Sequence, residues 1–202
     1  MVMAAIAVAF AVYSQGGGMS THKQIPPERL FSGQQLVLAK SIAHHNLAQV
    51  EQFIPSTDIA TPGNEGVSIL LYAMHVAAPE QENPESDSFK IISALVKAGA
   101  DPLFSKDEES PSPLGEAITA ASPGFMKALL AGGMNPDIER GRYKAPVIRD
   151  VAKLGELGTL KALVEAGAAV DPRDSLGRTP LDEAFYSKNY DQVAYLLEKG
   201  AD

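Results

Sequence analysis

The side chains best suited to catalysis or metal binding are few and poorly spaced in this 202-residue sequence. The four histidines are His22, His44, His45 and His75; none forms a His-x-x-x-His pair, and no cysteine is present to complete a zinc site. Neither a Gly-x-Ser-x-Gly elbow nor a Walker-type phosphate loop occurs. We therefore predict that the protein is not an enzyme and has no catalytic residues, no metal and no cofactor.

Two other clusters invite a chemical interpretation. The carboxylates of Asp107, Glu108 and Glu109 lack the alternating spacing of a calcium loop, which favours a solvated hairpin tip. Gly16, Gly17 and Gly18 precede Lys23, but the spacing does not fit a phosphate cradle and is typical of a linker.

Composition narrows the class of protein further. Hydrophobic residues make up 45% of the chain and charged residues 21%, which is enough apolar material for a folded core. The net charge is −8, with 25 acidic against 17 basic residues, which argues against nucleic acid as a ligand.

The amino terminus has the character of an export signal. Met1 to Tyr13 is an unbroken apolar run, too short for a helix of roughly 20 residues that spans a bilayer, and of the length of a signal-peptide core. We predict a signal peptide or apolar leader over residues 1–18 and a linker over 19–30, with cleavage after Ser14. No Lys or Arg precedes the run, although a signal peptide normally has a positively charged start. There are two alternatives: translation starts at Met19, or the run is an apolar arm that packs on the domain.

The rest of the chain repeats with a period of about 33 residues. Four glycines follow similar apolar segments at spacings of 34, 34 and 33, namely Gly99, Gly133, Gly167 and Gly200. A second landmark runs in phase with them, at Ile69-Leu70, Pro113-Leu114, Pro146-Val147 and Pro180-Leu181. Such a period predicts a solenoid whose units are stabilised by stacking on their neighbours.

The last unit, Asp174 to Asp202, resembles the ankyrin repeat family in its turn, its Thr179-Pro180-Leu181 helix start and its Leu-Leu…Gly-Ala-Asp ending. The resemblance implies an all-α solenoid of stacked helix pairs joined by β-hairpin-like loops. Both residues of the repeated Leu-Leu pairs, such as Leu196-Leu197, are expected on the buried side of the second helix. About five units are expected: a capping unit over 31–62, then 63–102 with an insertion near 79–88, 103–136, 137–172 and 173–202.

The resemblance also implies a function. Ankyrin arrays bind other proteins through their hairpin tips and the concave face of their first helices. At the matching positions, the candidate partner-binding residues are Phe104, Asp107, Glu108, Glu109, Glu139, Arg140, Arg142, Tyr143, Lys144, Ser175, Leu176, Arg178, Tyr186 and Ser187.

Together with the leader, this pattern is similar to small exported bacterial ankyrin proteins. We expect a periplasmic or otherwise exported protein that acts as an immunity protein and neutralises a secreted effector enzyme, such as a type VI secretion lipase. The membrane would be involved only through an uncleaved leader. The alternatives are a cytoplasmic adaptor translated from Met19 and a periplasmic stabiliser of an enzyme.

Overall fold

The computed structural model describes residues 25–80, 83, 85–141 and 143–202. The predicted signal peptide, most of the predicted linker and Arg142 lie outside these residues. The described helices are α1 Pro27–Leu30, α2 Gly33–Ala43, α3 Leu47–Phe53, α4 Ile69–Ala77, α5 Asp87–Lys97, α6 Pro113–Thr119, α7 Gly124–Ala131, α8 Val147–Leu154, α9 Leu157–Glu165, α10 Pro180–Tyr186 and α11 Tyr190–Glu198. Short 3-10 turns cover Ile54–Ser56, Asn64–Gly66 and Ala78–Glu80.

The helices form two layers of a stack, which confirms the predicted all-α solenoid. The first helices of the units, α2, α4, α6, α8 and α10, contact one another in that order. The second helices, α3, α5, α7, α9 and α11, do the same in the other layer. Four hairpins connect successive units, over residues 57–67, 101–112, 135–146 and 171–179. Within the described residues only the third hairpin has regular strands, β1 Glu139–Arg140 and β2 Ala145–Pro146, which pair antiparallel.

Local sequence explains where three of the first helices, α4, α6 and α10, begin. The side chains of Ser68, Ser112 and Thr179 accept hydrogen bonds from backbone N–H groups in the first turns of α4, α6 and α10. Pro113 and Pro180 occupy the first helical positions, where a missing N–H costs nothing. At the other end of the units, the four periodic glycines have φ values of 101°, 98°, 97° and 95°, which is the left-handed conformation expected after a helix.

The core is periodic in the same register. The first leucine of each predicted pair is fully buried in the second helices, at Leu95, Leu129, Leu163 and Leu196. The prediction that both leucines of the last pair face the core is wrong, because Leu197 is 53% exposed. Within the described residues, no helix pair packs beyond α11 to cover it.

The start of the described chain differs from an extended linker. Pro27 begins the one-turn helix α1, and Leu30 and Phe31 are buried against the domain. The Phe31 ring meets Tyr72 edge-on at 5.3 Å between centroids. Among the described residues, no helix combines the length and the apolar character needed to cross a membrane.

Candidate functional site

The fourth hairpin is organised around one carboxylate. Asp174 Oδ1 accepts hydrogen bonds from the backbone N–H groups of Leu176 (2.8 Å) and Arg178 (3.0 Å). Its Oδ2 accepts from Nε and Nη2 of Arg178 at 2.9 and 2.7 Å. Burial alone would raise the pKa of this carboxyl, but the hydrogen bonds from Arg178 hold the pKa at about 2. Asp174 is therefore a fixed anion that shapes the turn.

The third and fourth hairpins are joined directly. The backbone N–H of Ser175 donates to the carbonyl of Tyr143 at 3.1 Å. The guanidinium of Arg178 lies over the Tyr143 ring, 5.7 Å from its centroid. Tyr143 is 47% exposed and Leu176 59% exposed. The side chains of Tyr143 and Leu176 are therefore exposed on a pair of hairpins that backbone and charged contacts hold together.

A buried arginine ties this region to the first-helix layer. Arg149 of α8 is almost fully buried; it forms an ion pair with Glu183 of α10, and its Nη1 lies 3.5 Å from Asp174 Oδ2. The Nη1 of Arg178 lies 3.9 Å from Glu183 Oε1, which closes the cluster. Two carboxylates and two guanidiniums therefore connect the fourth hairpin with both adjacent first helices.

A second ion pair anchors the third hairpin. Arg140 Nε lies 2.7 Å from Asp150 Oδ2 at the start of α8. Burial raises the pKa of Asp150, although Arg140 and Arg149 oppose that shift. Arg140 is thus an anchor of the hairpin as well as a predicted contact residue.

The second hairpin has a different construction. Asp107 Oδ1 accepts hydrogen bonds from Glu109 N–H and Ser110 Oγ at 3.2 and 2.6 Å. The hydrogen bond from Ser110 lowers the pKa of Asp107. Glu108 and Glu109 are exposed, as expected for a solvated tip, and Phe104 is half-buried. No metal-binding cluster of His, Cys, Asp or Glu occurs in the part of the chain that is described.

The structure brings together some of the predicted contact residues and separates others. Tyr143, Lys144, Ser175, Leu176 and Arg178 share one surface on the third and fourth hairpins, which we call the tip surface. Glu139 and Arg140 lie at the base of the third hairpin in β1. Arg142 lies outside the described residues.

The remaining predicted positions are elsewhere. Phe104, Asp107, Glu108 and Glu109 belong to the second hairpin. Tyr186 and Ser187 lie at the far end of α10, where Tyr186 lines a groove of about 380 Å³ with residues of α11.

Sequence reasoning missed the buried ion cluster. Arg149 and Glu183 are charged residues 34 positions apart, one repeat period, in the first helices of adjacent units. Opposite charges one period apart were the available clue, because equivalent positions of stacked units lie next to each other.

Comparisons with known proteins agree with this architecture. The family described as ankyrin repeats matches three copies over residues 114–202. The human cyclin-dependent kinase 4 inhibitor B is 32% identical over 109 residues, which are 52% of this chain and 75% of that protein. The chain belongs to the ankyrin repeat family.

Two further relatives show how widely the repeat occurs. The bovine cyclin-dependent kinase 4 inhibitor B is 30% identical over 115 residues, 55% of this chain and 83% of that protein. The potassium channel GORK of Arabidopsis thaliana is 45% identical over 60 residues, but this stretch spans 7% of the channel. As a member of the family, this ankyrin repeat chain is a protein–protein interaction module.

Proposed function

We propose that this ankyrin repeat protein binds its partner through the tip surface, that is Tyr143, Lys144, Ser175, Leu176 and Arg178. The observation that carries the proposal is the contact between the two hairpins, because Ser175 N–H and Arg178 hold Tyr143 in place beside the exposed Leu176. Anchors that are ordered before binding lose little conformational entropy in the complex. Exposed Tyr, together with Arg, is typical of binding hot spots.

The charges of the hairpins indicate which kind of surface on a partner would face them. The third and fourth hairpins are mixed in charge, and their five basic residues outnumber four acidic ones, whereas the insertion and the second hairpin are net acidic. The basic residues are Arg140, Arg142, Lys144, Arg173 and Arg178. Such polarity orients an approaching protein and accelerates its association. We expect an acidic patch on the partner to face the tip surface, around a pocket that accepts Leu176.

The finer proposal is an exported inhibitor, an immunity protein that covers the active-site entrance of a secreted effector enzyme such as a type VI secretion lipase. Two observations support it: the apolar sequence from Met1 to Tyr13 and the similarity to relatives named as kinase inhibitors. A cytoplasmic adaptor translated from Met19 and a periplasmic enzyme stabiliser are the competing roles.

The binding proposal is tested by affinity capture of the tagged full-length protein from its own cells, followed by mass spectrometry. Leu176→Glu should lose a stoichiometric partner that the wild type retains. The matched control is Leu154→Glu, since Leu154 is 58% exposed but lies at the end of α8, away from the hairpins. Equal capture by both variants would place the interface elsewhere.

The exported-inhibitor proposal has its own test. The same sample gives the mature amino terminus: a start near Gln15 supports export, whereas a start at Met1 or Met19 with a cytoplasmic partner favours the adaptor. The captured enzyme should lose turnover when one equivalent of the protein is added, and a gain in its thermal stability without inhibition would favour the stabiliser.

Charge is best tested away from the structural ion pairs. Arg140 and Arg178 hold Asp150 and Asp174, so reversing either charge would disturb the hairpins themselves. Lys144→Glu should weaken association at low ionic strength, and Lys127→Glu on α7 is the matched control. Equal association rates for the two variants would contradict the charge argument.

A further inference from the structure

Three acidic residues occupy the same position in three consecutive first helices, but they differ in their counter-charges. Glu116, Asp150 and Glu183 are the fourth residues of α6, α8 and α10, and the stacking of these helices places them in one row. Asp150 pairs with Arg140 at 2.7 Å, and Glu183 forms its ion pair with Arg149. Glu116 is half-buried, and among the described residues no side-chain hydrogen bond or ion pair reaches its carboxylate.

The sequence explains why Glu116 has no cation. Arg149, the third residue of α8, pairs with the carboxylate of the following unit. The third residue of α4, in the unit that precedes Glu116, is the buried and apolar Leu71. The hairpin before α6 contains one basic residue, Lys106, which packs on the first hairpin: a Cβ on Gly66 would lie 2.7 Å from Lys106 Cδ. Neither the preceding unit nor the preceding hairpin therefore supplies a cation to Glu116.

A half-buried carboxylate without a cation opposes folding. Burial raises the pKa of Glu116, and no positive charge counteracts this shift. Burial also raises the pKa of Asp150, but there Arg140 and Arg149 act against it. The ionised form of Glu116 is therefore unfavourable in the free protein, and a cation bound beside it would remove that penalty.

The carboxylate lies close to the tip surface and on an open side of α6. Thr119, which is three residues further along and on the same face of the helix, is exposed. At the start of α6, Arg140 Nη1 lies 3.9 Å from the position that a Cβ on Gly115 would take. Arg140 belongs to β1 of the third hairpin, whose outer end is part of the tip surface. A protein seated on that hairpin can therefore also reach Glu116.

We propose that Glu116 binds an arginine side chain of the partner protein, which supplies from outside the cation that this unit lacks. The inference rests on the proposed function, since it requires a partner on the third and fourth hairpins. Arginine is favoured over lysine because Asp150 and Glu183 are both paired with a guanidinium. A guanidinium is more weakly hydrated than an ammonium group and can donate two parallel hydrogen bonds to one carboxylate. The partner therefore presents an arginine beside the acidic patch that faces the tip surface.

The stability of the free protein distinguishes a binding residue from a structural one. Glu116→Gln should leave the free energy of unfolding unchanged or raise it, because the carboxylate has no cation to lose. Asp150→Asn is the matched change at the same position of α8, and it should lower the free energy of unfolding by removing the counter-charge of Arg140. Urea unfolding followed by circular dichroism compares the two variants. A loss for Glu116→Gln as large as that for Asp150→Asn would overturn the proposal.

A small probe tests the chemistry without the partner. N-acetyl-arginine amide, titrated into the full-length protein, should shift the backbone amide resonances of α6 in a saturable way, whereas the neutral N-acetyl-glutamine amide should not. Glu116→Gln should abolish the shifts. Glu109→Gln, which removes an exposed carboxylate of the second hairpin, should retain them. An absence of shifts in α6, or equal shifts in the two variants, overturns the proposal.

Binding of the partner tests the contact itself and separates this inference from the proposed function. Glu116→Gln should weaken, by about tenfold or more, the affinity for the protein that the wild type captures from its own cells, because one member of a charge pair is then missing. If Leu176→Glu loses this protein but Glu116→Gln binds it with wild-type affinity, the tip surface stands and the arginine contact is wrong. If neither variant weakens binding, both proposals are wrong.

Discussion

In both the second and the fourth hairpin, the side chain of one aspartate accepts hydrogen bonds from the residues of the turn. The two aspartates differ in their other contacts. Asp107 accepts hydrogen bonds from groups two and three residues further along, and it is exposed. Asp174 also accepts from the backbone N–H two residues further along, and its second backbone donor is Arg178 N–H, yet it is buried and faces Arg178 and Arg149. One hairpin is held within itself, whereas the other is held by the stack.

The difference bears on where a partner binds. A tip that is held only by its own turn keeps conformational freedom, which it must lose on binding. The fourth hairpin has already lost that freedom through its contacts with α8, α10 and the third hairpin. Equivalent positions of the repeat are thus unequal as binding sites, and the rigid pair of hairpins is the better platform.

Arg149→Met should cause the largest change, because it removes the cation that lies between Glu183 and Asp174 inside the stack. Removing one partner of a buried ion pair costs roughly 3–5 kcal/mol. The free energy of unfolding, measured with urea and circular dichroism, should fall by that amount. The control is Lys127→Met, at an exposed position of α7. If Arg149→Met lowers the free energy of unfolding no more than this control does, the ion cluster contributes little to stability.

Asp174→Asn should have a smaller effect, because Arg149 keeps Glu183, and the effect should depend on pH. The pKa of Asp174 is about 2 in the folded protein, below the value of about 3.9 for an unfolded chain. The carboxylate therefore stabilises the fold above about pH 4 and loses that contribution as the pH falls toward 2.

Unfolding free energies of the wild type and Asp174→Asn, measured between pH 2 and pH 5, check this expectation. The gap between the two proteins should close on acidification. The same comparison for Asp107→Asn should give a smaller gap at every pH, because that carboxylate is exposed to water. A gap for Asp174→Asn that is constant with pH would mean that its ionisation does not support the hairpin.

Thr179→Ala comes next in size. Thr179 Oγ1 accepts from Asp182 N–H at 3.1 Å, and the Asp182 carboxylate accepts from Thr179 N–H at 2.9 Å, which forms a complete capping box. Loss of such a cap costs about 1 kcal/mol. At the start of α6, Ser112→Ala removes one hydrogen bond, which Ser112 Oγ accepts from Gly115 N–H. Urea unfolding should therefore show a smaller loss of unfolding free energy for Ser112→Ala than for Thr179→Ala.

The features of the fold that repeat along the chain could be predicted from the sequence. Period, caps and glycines predicted the helix pairs, and the first leucine of each pair was correctly placed in the core. The cluster at Arg149 was not predicted, because a charged residue on a first helix is ordinarily solvated and only the stacking of α8 on α10 brings Glu183 to it. The exposure of Leu197 was missed for a related reason, since burial of a repeat position depends on the next unit.

Replacing both Glu108 and Glu109 by Gln should have the smallest effect on stability. Both side chains are exposed at the tip of the second hairpin, and surface substitutions of this kind change the free energy of unfolding by less than about 0.5 kcal/mol. If the partner binds at the tip surface, capture should also be unchanged, while the on-rate shifts with ionic strength through the altered long-range field. A loss of capture that exceeds the loss for Leu176→Glu would reverse the comparison and make the acidic second hairpin the main binding site.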